Sequence, residues 1–388
     1  MEFTLYTPVK LIFGRPVAQA LPEALAELGA QRILLVSDAG LEKAGLVDQV
    51  RRILTEAGCQ VQTFTGVRSN PTTLDVEHAL EAAERFGVEA CVALGGGSVI
   101  DVAKAAGLLL ANGGRYRDYQ WEGRPITRPI TPLIAVPTTA GTGSEMTRTA
   151  VIEDEETRFK KGVVSPYLYA RAAVLDPALT TGLPPRLTAA VGADVLGHAI
   201  EAYLGRRANP ITDALAAMAI QRAWRFLPRA VHDGRDLEAR SEMLLASALA
   251  GWAFDQSGLG IVHALAGPVA ARYELHHGLC IGLLLPYGLA FNLPALGEKR
   301  AGLLDLLGLP REMSDEQVVE LVRGWLIGLG IPTTLRELDI PSPTAEELRT
   351  MAEEASRMAM LPNNPRPASA EDCRRILEQV AGTPASSI

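Results

Sequence analysis

The chain has 388 residues, 48% hydrophobic and 21% charged, with a formal net charge of −8 at pH 7. That apolar share excludes a disordered chain, and 36 glycines fall far short of the one in three that collagen needs. An acidic chain repels phosphate backbones, so nucleic acid is not an expected partner. Four cysteines, Cys59, Cys91, Cys280 and Cys373, make no CxxC pair. This predicts buried thiols in a reducing, cytoplasmic setting rather than a zinc ribbon or a redox motif. The opening MEFTLYTPVKLIFGRP carries an early acid and no long apolar core, so no signal peptide is expected.

Along the chain, residues 32–37 (RILLVS) form a short apolar run that predicts a buried strand. Residues 46–57 repeat apolar side chains at helical spacing, and Gly58 can end that helix by adopting a left-handed conformation. A strand at 60–64, a helix at 74–86, a strand at 90–94, a helix at 99–110 and a strand at 133–136 follow. Strands alternating with helices imply βαβ units and a parallel sheet. From about Pro185 the strand signal fades, and 187–204, 210–226 and 237–257 read as long helices. Residues 278–297 are uncharged throughout, but Pro286 and Pro294 interrupt them. The expectation there is buried core helices broken by turns, not a membrane span.

Two glycine-rich loops follow predicted strands. The first, Gly95-Gly96-Gly97-Ser98, runs straight into a helix, whose N-terminus offers free N–H groups and a positive dipole end to a phosphate. The second is VPTTAGTGSE, residues 136–145, dense in hydroxyls. Tight turns alone would explain one such loop, but two at strand ends of one sheet point to a ligand at that edge. Neither G-x-G-x-x-G nor a P-loop is present, so the loops suggest a nucleotide without naming it. Asp38 ends the first buried strand. It suits either a ribose-binding carboxylate, which would repel a 2′-phosphate, or a plain helix N-cap.

Four of the six histidines lie in two short motifs of the second half. In GADVLGHAIEAY, Asp194 and His198 are four apart and share a helix face. GIVHALA carries His263, and HHG carries His276 and His277. One carboxylate and three imidazoles suit a borderline divalent ion such as Fe²⁺ or Zn²⁺, not Mg²⁺ or Ca²⁺, which want oxygen shells. The alternative is a set of core histidines bonded to backbone and to one another. The apolar surroundings weigh against it, because unpaired polar groups are costly to bury.

The strings GGGSVIDVAK, VPTTAGTGSE, GADVLGHAIEAY, GLGIVHALAG and HHG, in this order, resemble the iron-containing (group III) alcohol dehydrogenases. The resemblance implies an α/β N-terminal dinucleotide-binding domain with a parallel sheet over residues 1–183. It implies an all-helical C-terminal metal-binding domain over 184–388, with a cleft between the two. It implies metal ligands Asp194, His198, His263 and His277. It implies cofactor contacts at Asp38, Asn70, Gly96, Gly97, Ser98, Thr138, Thr139, Thr142, Thr149 and Lys160. Lys160 and His276 are candidate catalytic residues, and Phe254 falls where the family lines its substrate pocket.

Two departures stand out. The family often has a second histidine four residues after the third ligand, where this chain has Gly267, which leaves the proton route open and widens the pocket. The residue before the last ligand is often proline, and here it is His276, which with ordered water is a candidate for part of the missing role. The expected chemistry is hydride transfer between NAD(H) and a small primary alcohol or aldehyde, with Fe²⁺ or Zn²⁺ as the ion. Asp38 favours NAD over NADP. The expected assembly is a soluble homodimer or larger oligomer, with no membrane partner. The rival is a metal- and NAD-dependent lyase of the dehydroquinate synthase type, which would want a nest of Lys and Arg for an acidic substrate. The helical motifs here are instead apolar.

Overall fold

Parallel strands are covered by helices on both faces, so they read as unbroken apolar runs rather than alternating ones. The computed structural model describes residues 2–157 and 159–382. Its contacts divide the chain into a unit at Thr4–Gly182 and a second that runs from Leu183.

The first unit contains β1 (Lys10–Phe13), α1 (Val17–Leu28), β2 (Arg32–Val36), α2 (Ala39–Lys43), α3 (Leu46–Glu56), β3 (Gln60–Phe64) and α4 (Thr73–Phe86). It continues with β4 (Ala90–Gly95), α5 (Gly97–Asn112), α6 (Tyr116–Trp121), β5 (Leu133–Pro137), β6 (Thr149–Glu153), β7 (Lys160–Val164) and β8 (Ala172–Leu175). Among the described residues, six strands form one parallel sheet in the order β1-β8-β5-β4-β2-β3. Successive side chains point to opposite faces. Leu34, Val36, Cys91, Ala93, Leu133 and Ala135 enter one core with Val76 and Ala79 of α4 and Ile100 and Leu108 of α5. Ile33, Leu35, Val92, Leu94, Ile134 and Val136 enter the other with Leu21 and Leu25 of α1 and Val50 and Leu54 of α3. The result is three layers.

The chain leaves β2 for β3 on one side and returns to β4 on the other. Ligands of open parallel sheets bind at such a reversal, beyond the carboxyl ends of the strands. Gly96 follows directly on the end of β4, and Asp38 lies two residues past the end of β2.

The strands at 10–13 and 172–175 were not expected from sequence. Four residues each (KLIF and AAVL) are too few to show a period. The antiparallel hairpin of β6 and β7 was missed as well, since only Ala150, Ile152 and Val163 are buried along two five-residue strands, too few to show a period.

The second unit is helical: α7 (Pro185–Leu204), α8 (Pro210–His232), α9 (Leu237–Ser257), α10 (Ile261–Tyr273), α11 (His277–Asn292), α12 (Glu298–Leu307), α13 (Asp315–Gly328), α14 (Ala345–Ser356) and α15 (Ala370–Val380). The expected break at Pro286 does not occur, for α11 runs through it. A helix-interior proline costs roughly 3 kcal/mol. Leu283, Leu284, Leu285 and Leu289 around it are at most 2% exposed, and each such burial is worth about 1.5–3 kcal/mol. Packing wins. His277–Ala295 is long and apolar enough to cross a membrane, but 72% of its most apolar window is buried within the protein, as in a core helix.

Candidate active site

In the first unit the two glycine-rich loops meet. A Cβ on Gly97 would lie 2.6 Å from Thr142 Oγ1, and one on Gly96 would lie 3.2 Å from Thr139 Oγ1. Only glycine lets the start of α5 sit this close to the loop after β5. The Thr138 amide donates to the Gly95 carbonyl at 3.1 Å, which joins the loops through backbone as well. Ser98 Oγ donates to the Ser69 carbonyl at 2.7 Å, and Lys160 Nζ donates to Asn70 Oδ1 at 2.8 Å. Five of the expected cofactor positions (Gly96, Gly97, Thr138, Thr139 and Thr142) therefore form one cluster, and Asn70 and Lys160 form a pair. Thr149 begins β6. Asp38 is the N-cap of α2, its Oδ1 accepting from the Gly40 and Leu41 amides at 2.8 and 3.0 Å. The plain structural use of that aspartate is thus realised, and its charge stands at the end of β2.

In the second unit, α7 presents Asp194 and His198 on one face, α10 brings His263 at its third residue, and α11 begins at His277. Asp194 Oδ1 lies 3.6 Å from His198 Nε2, 3.6 Å from His263 Nε2 and 3.8 Å from His277 Nε2. These are too long for hydrogen bonds. Two donors each about 2.1 Å from one ion sit roughly 3.4 Å apart in a tetrahedral shell, so the spacing fits a shared cation. Ligand atoms of Asp194, His263 and His277 all fall within 4.8 Å of one another. His198 joins through Asp194 and through its ring, stacked on His263 with centroids 4.5 Å apart.

The donor atoms test the fit. Among the described residues, Asp194 Oδ1 and His263 Nε2 are buried without a hydrogen-bond partner, a costly state that a divalent ion relieves. Burial pushes the Asp194 carboxyl up, but the imidazoles of His198, His277 and His263 outweigh it and hold the group well below the ordinary range. Burial pushes His263 down, but Asp194 and Glu201 outweigh it and raise the imidazole to about 9. The cage calls for positive charge. His277 keeps 46% of its side chain exposed while the other three stay near full burial, so the set is open on one side, as a catalytic site requires. Phe254 stacks on His198 with centroids 4.4 Å apart. His276 is exposed as the N-cap of α11.

Residues 8–177 match the family model of the iron-containing alcohol dehydrogenases, and residues 188–381 match the model of that family's C-terminal region. The chain belongs to the iron-containing alcohol dehydrogenase family. It is 36% identical to the NAD-dependent methanol dehydrogenase of Bacillus methanolicus, covering 96% of this chain and 98% of that one. It is 37% identical to the 1,3-propanediol dehydrogenase of Klebsiella pneumoniae, covering 97% and 98%. Among solved structures, a 1,3-propanediol oxidoreductase superposes with a TM-score of 0.92 at 36% identity, over 98% of this chain and 100% of that one. The sulfoacetaldehyde reductase of Bifidobacterium kashiwanohense in complex with NAD⁺ gives 0.90 at 29% identity, over 99% and 100%.

In this member of the family, a residue that sequence reasoning left unassigned sits behind the ligands. Glu201 is 4% exposed. Its Oε2 lies 2.7 Å from His263 Nδ1 and accepts the Gly260 amide at 2.8 Å, while Oε1 accepts the Val262 amide at 2.6 Å. Asn364 Oδ1 takes the Ile261 amide at 3.1 Å. A carboxylate from α7 and an amide from far along the chain thus satisfy the orphan donors at the start of α10. Both hold His263 in place. The signal was present in the sequence, because Asp194, His198 and Glu201 are spaced i, i+4, i+7 on one helix face.

Proposed function

We propose that the chain is a metal-dependent NAD(H) oxidoreductase that interconverts a small primary alcohol and its aldehyde. The observation that carries this reading is the convergence of one carboxylate and three imidazoles, two of the donor atoms buried and without partners, in a chain of this family. Asp194, His198, His263 and His277 would hold the ion, Fe²⁺ or Zn²⁺. When bound, it supplies a Lewis acid that stabilises negative charge on the substrate oxygen.

The protein's own groups do the rest. Glu201 Oε2, 2.7 Å from His263 Nδ1, would take the proton at that nitrogen and leave Nε2 to the ion. The Phe254 ring covers His198 on one side and leaves an apolar wall for the substrate chain. Gly96, Gly97 and Ser98 offer amides at the start of α5 to a pyrophosphate. Lys160, tied to Asn70, and the hydroxyls of Thr138, Thr139, Thr142 and Thr149 complete the nucleotide contacts. Asp38 repels a 2′-phosphate and so selects NAD. His276, exposed and adjacent in the chain to His277, passes the alcohol proton to solvent in place of the histidine that Gly267 replaces. The relatives named above are dehydrogenases and reductases, none a lyase, which supports the redox reading over the dehydroquinate synthase type.

The same reading carries a cytoplasmic location, supported by the buried free thiols of Cys91 and Cys373, and a homodimer or larger assembly as the resemblance implies. The test is metal analysis of the purified protein, then NADH oxidation across a series of aldehydes before chelation, after chelation and after return of Fe²⁺ or Zn²⁺. Turnover that follows metal content is the expected result. Turnover indifferent to chelation, with no bound metal, would overturn it.

A further inference from the structure

Gly267 lies one turn after His263 on α10, so the two positions share a helix face, and side chains at this spacing start about 5–6 Å apart. Gly267 and Met358 are both half-buried, and a Cβ on Gly267 would lie 3.2 Å from Met358 Cε. The room that the missing side chain leaves beside His263 is therefore faced by a thioether methyl from another part of the chain. The segment that carries it is fixed. Met358 lies two residues past the end of α14. Its amide donates to the Ala355 carbonyl at 3.1 Å, and its carbonyl accepts the Leu361 amide at 3.0 Å. Further on, Asn363 Nδ2 donates to the carbonyls of Ser257 and Leu259, both at 2.9 Å, and Asn364 takes the Ile261 amide, as described above. The segment is thus bonded to the end of α9, which bears Phe254, and to the start of α10, which bears His263. Phe254, His198 and His263 form one row of stacked rings.

We propose that Met358 is a specificity-determining residue, whose thioether forms an apolar wall beside the metal ligands and selects primary alcohols with a plain hydrocarbon chain over those with a second hydroxyl. The proposal rests on the reading of the protein as a metal-dependent alcohol oxidoreductase. Methionine is unbranched and polarisable, and it packs against apolar chains of varied shape. It has no donor, and its sulfur is a weak acceptor. A substrate hydroxyl set against it gives up hydrogen bonds to water and regains little. A methionine that served stability alone would leave the choice between two substrates of equal size unchanged.

The test uses 1-butanol and 1,3-propanediol, which have the same number of heavy atoms and differ by a methyl against a hydroxyl at the end away from the reacting carbon. kcat and KM for each are measured at saturating NAD on metal-loaded wild type, Met358→Leu and Met358→Ser, alongside KM for NAD, metal content and melting temperature. The expected result is that wild type favours 1-butanol in kcat/KM by about tenfold or more, that Met358→Leu keeps this preference, and that Met358→Ser brings it to within about threefold. The loss should fall on KM for 1-butanol, with KM for NAD and metal content unchanged. Should Met358→Ser not fold, Met358→Gln keeps the length, adds polar atoms and is read in the same way. A wild type that favours 1,3-propanediol, or a preference that the folded polar variant leaves unaltered, overturns the proposal. Metal-loaded wild type that neither oxidises any alcohol nor reduces any aldehyde overturns the oxidoreductase reading itself, and the role of Met358 with it.

Discussion

Two glycines that read alike in sequence have opposite demands on them. A Cβ on Gly278 would lie 2.4 Å from the Ala190 carbonyl oxygen, where backbone cannot yield. Gly278→Ala should cost about 1–3 kcal/mol and move His277, so a thermal melt and a metal assay should both worsen. A Cβ on Gly267 meets only the tip of Met358, at 3.2 Å. Alanine is a better helix former by about 1 kcal/mol, so Gly267→Ala should be neutral or slightly stabilising in the same melt. Glu201 offers a third test. Glu201→Gln leaves the four ligands untouched but weakens the hold on His263 and on the start of α10, and metal affinity should drop by roughly 10–100-fold in a chelator competition. For His276, His276→Ala that leaves turnover and its pH profile unaltered would remove it from the proton route.

At the scale of elements, the loop after β5 has a pH dependence of its own. Burial lifts the Glu145 carboxyl from 4.5 to about 7, against the pull of Lys104. Burial likewise lifts Asp101 from 3.8 to about 6, opposed by Lys104, the Val151 amide and Ser144. A carboxyl whose value is raised on folding binds more protons folded than unfolded, so its contribution is full below about pH 4 and is lost as pH rises through the folded value. For Glu145 that window is about pH 4.5 to 7. Urea denaturation at pH 5 and pH 8 should therefore show wild type losing more stability than Glu145→Gln, by no more than a few kcal/mol. Equal slopes for the two proteins would contradict this account of Glu145.

For the whole molecule, the residues proposed for nucleotide and for metal fall in separate units, which predicts separable responses to ligand. An ion present at a thousandfold its Kd stabilises the state that binds it by about 4 kcal/mol. Removing it with a chelator should lower the melting transition of the helical unit, followed by the stacked Trp224 and Trp325. NADH affinity should stay within about twofold if the first unit alone holds the nucleotide.

Most of the parallel sheet and the long helices could be read along the chain, because helical and strand periods are local properties of consecutive residues. The pairing of Asp194 with His198 was legible for the same reason, and Glu201 would have been, had the face been followed one more turn. The approach of His263 and His277 to Asp194 was not readable from spacing. It needs α10 and α11 to return against α7, with Gly278 in contact with Ala190 and the Glu201 carboxylate holding the start of α10. Local pattern also misjudged Pro286, whose cost is set against burial on all sides. Periodicity says that a helix buries a face. Because apolar attraction has no direction, only close packing in three dimensions says against what.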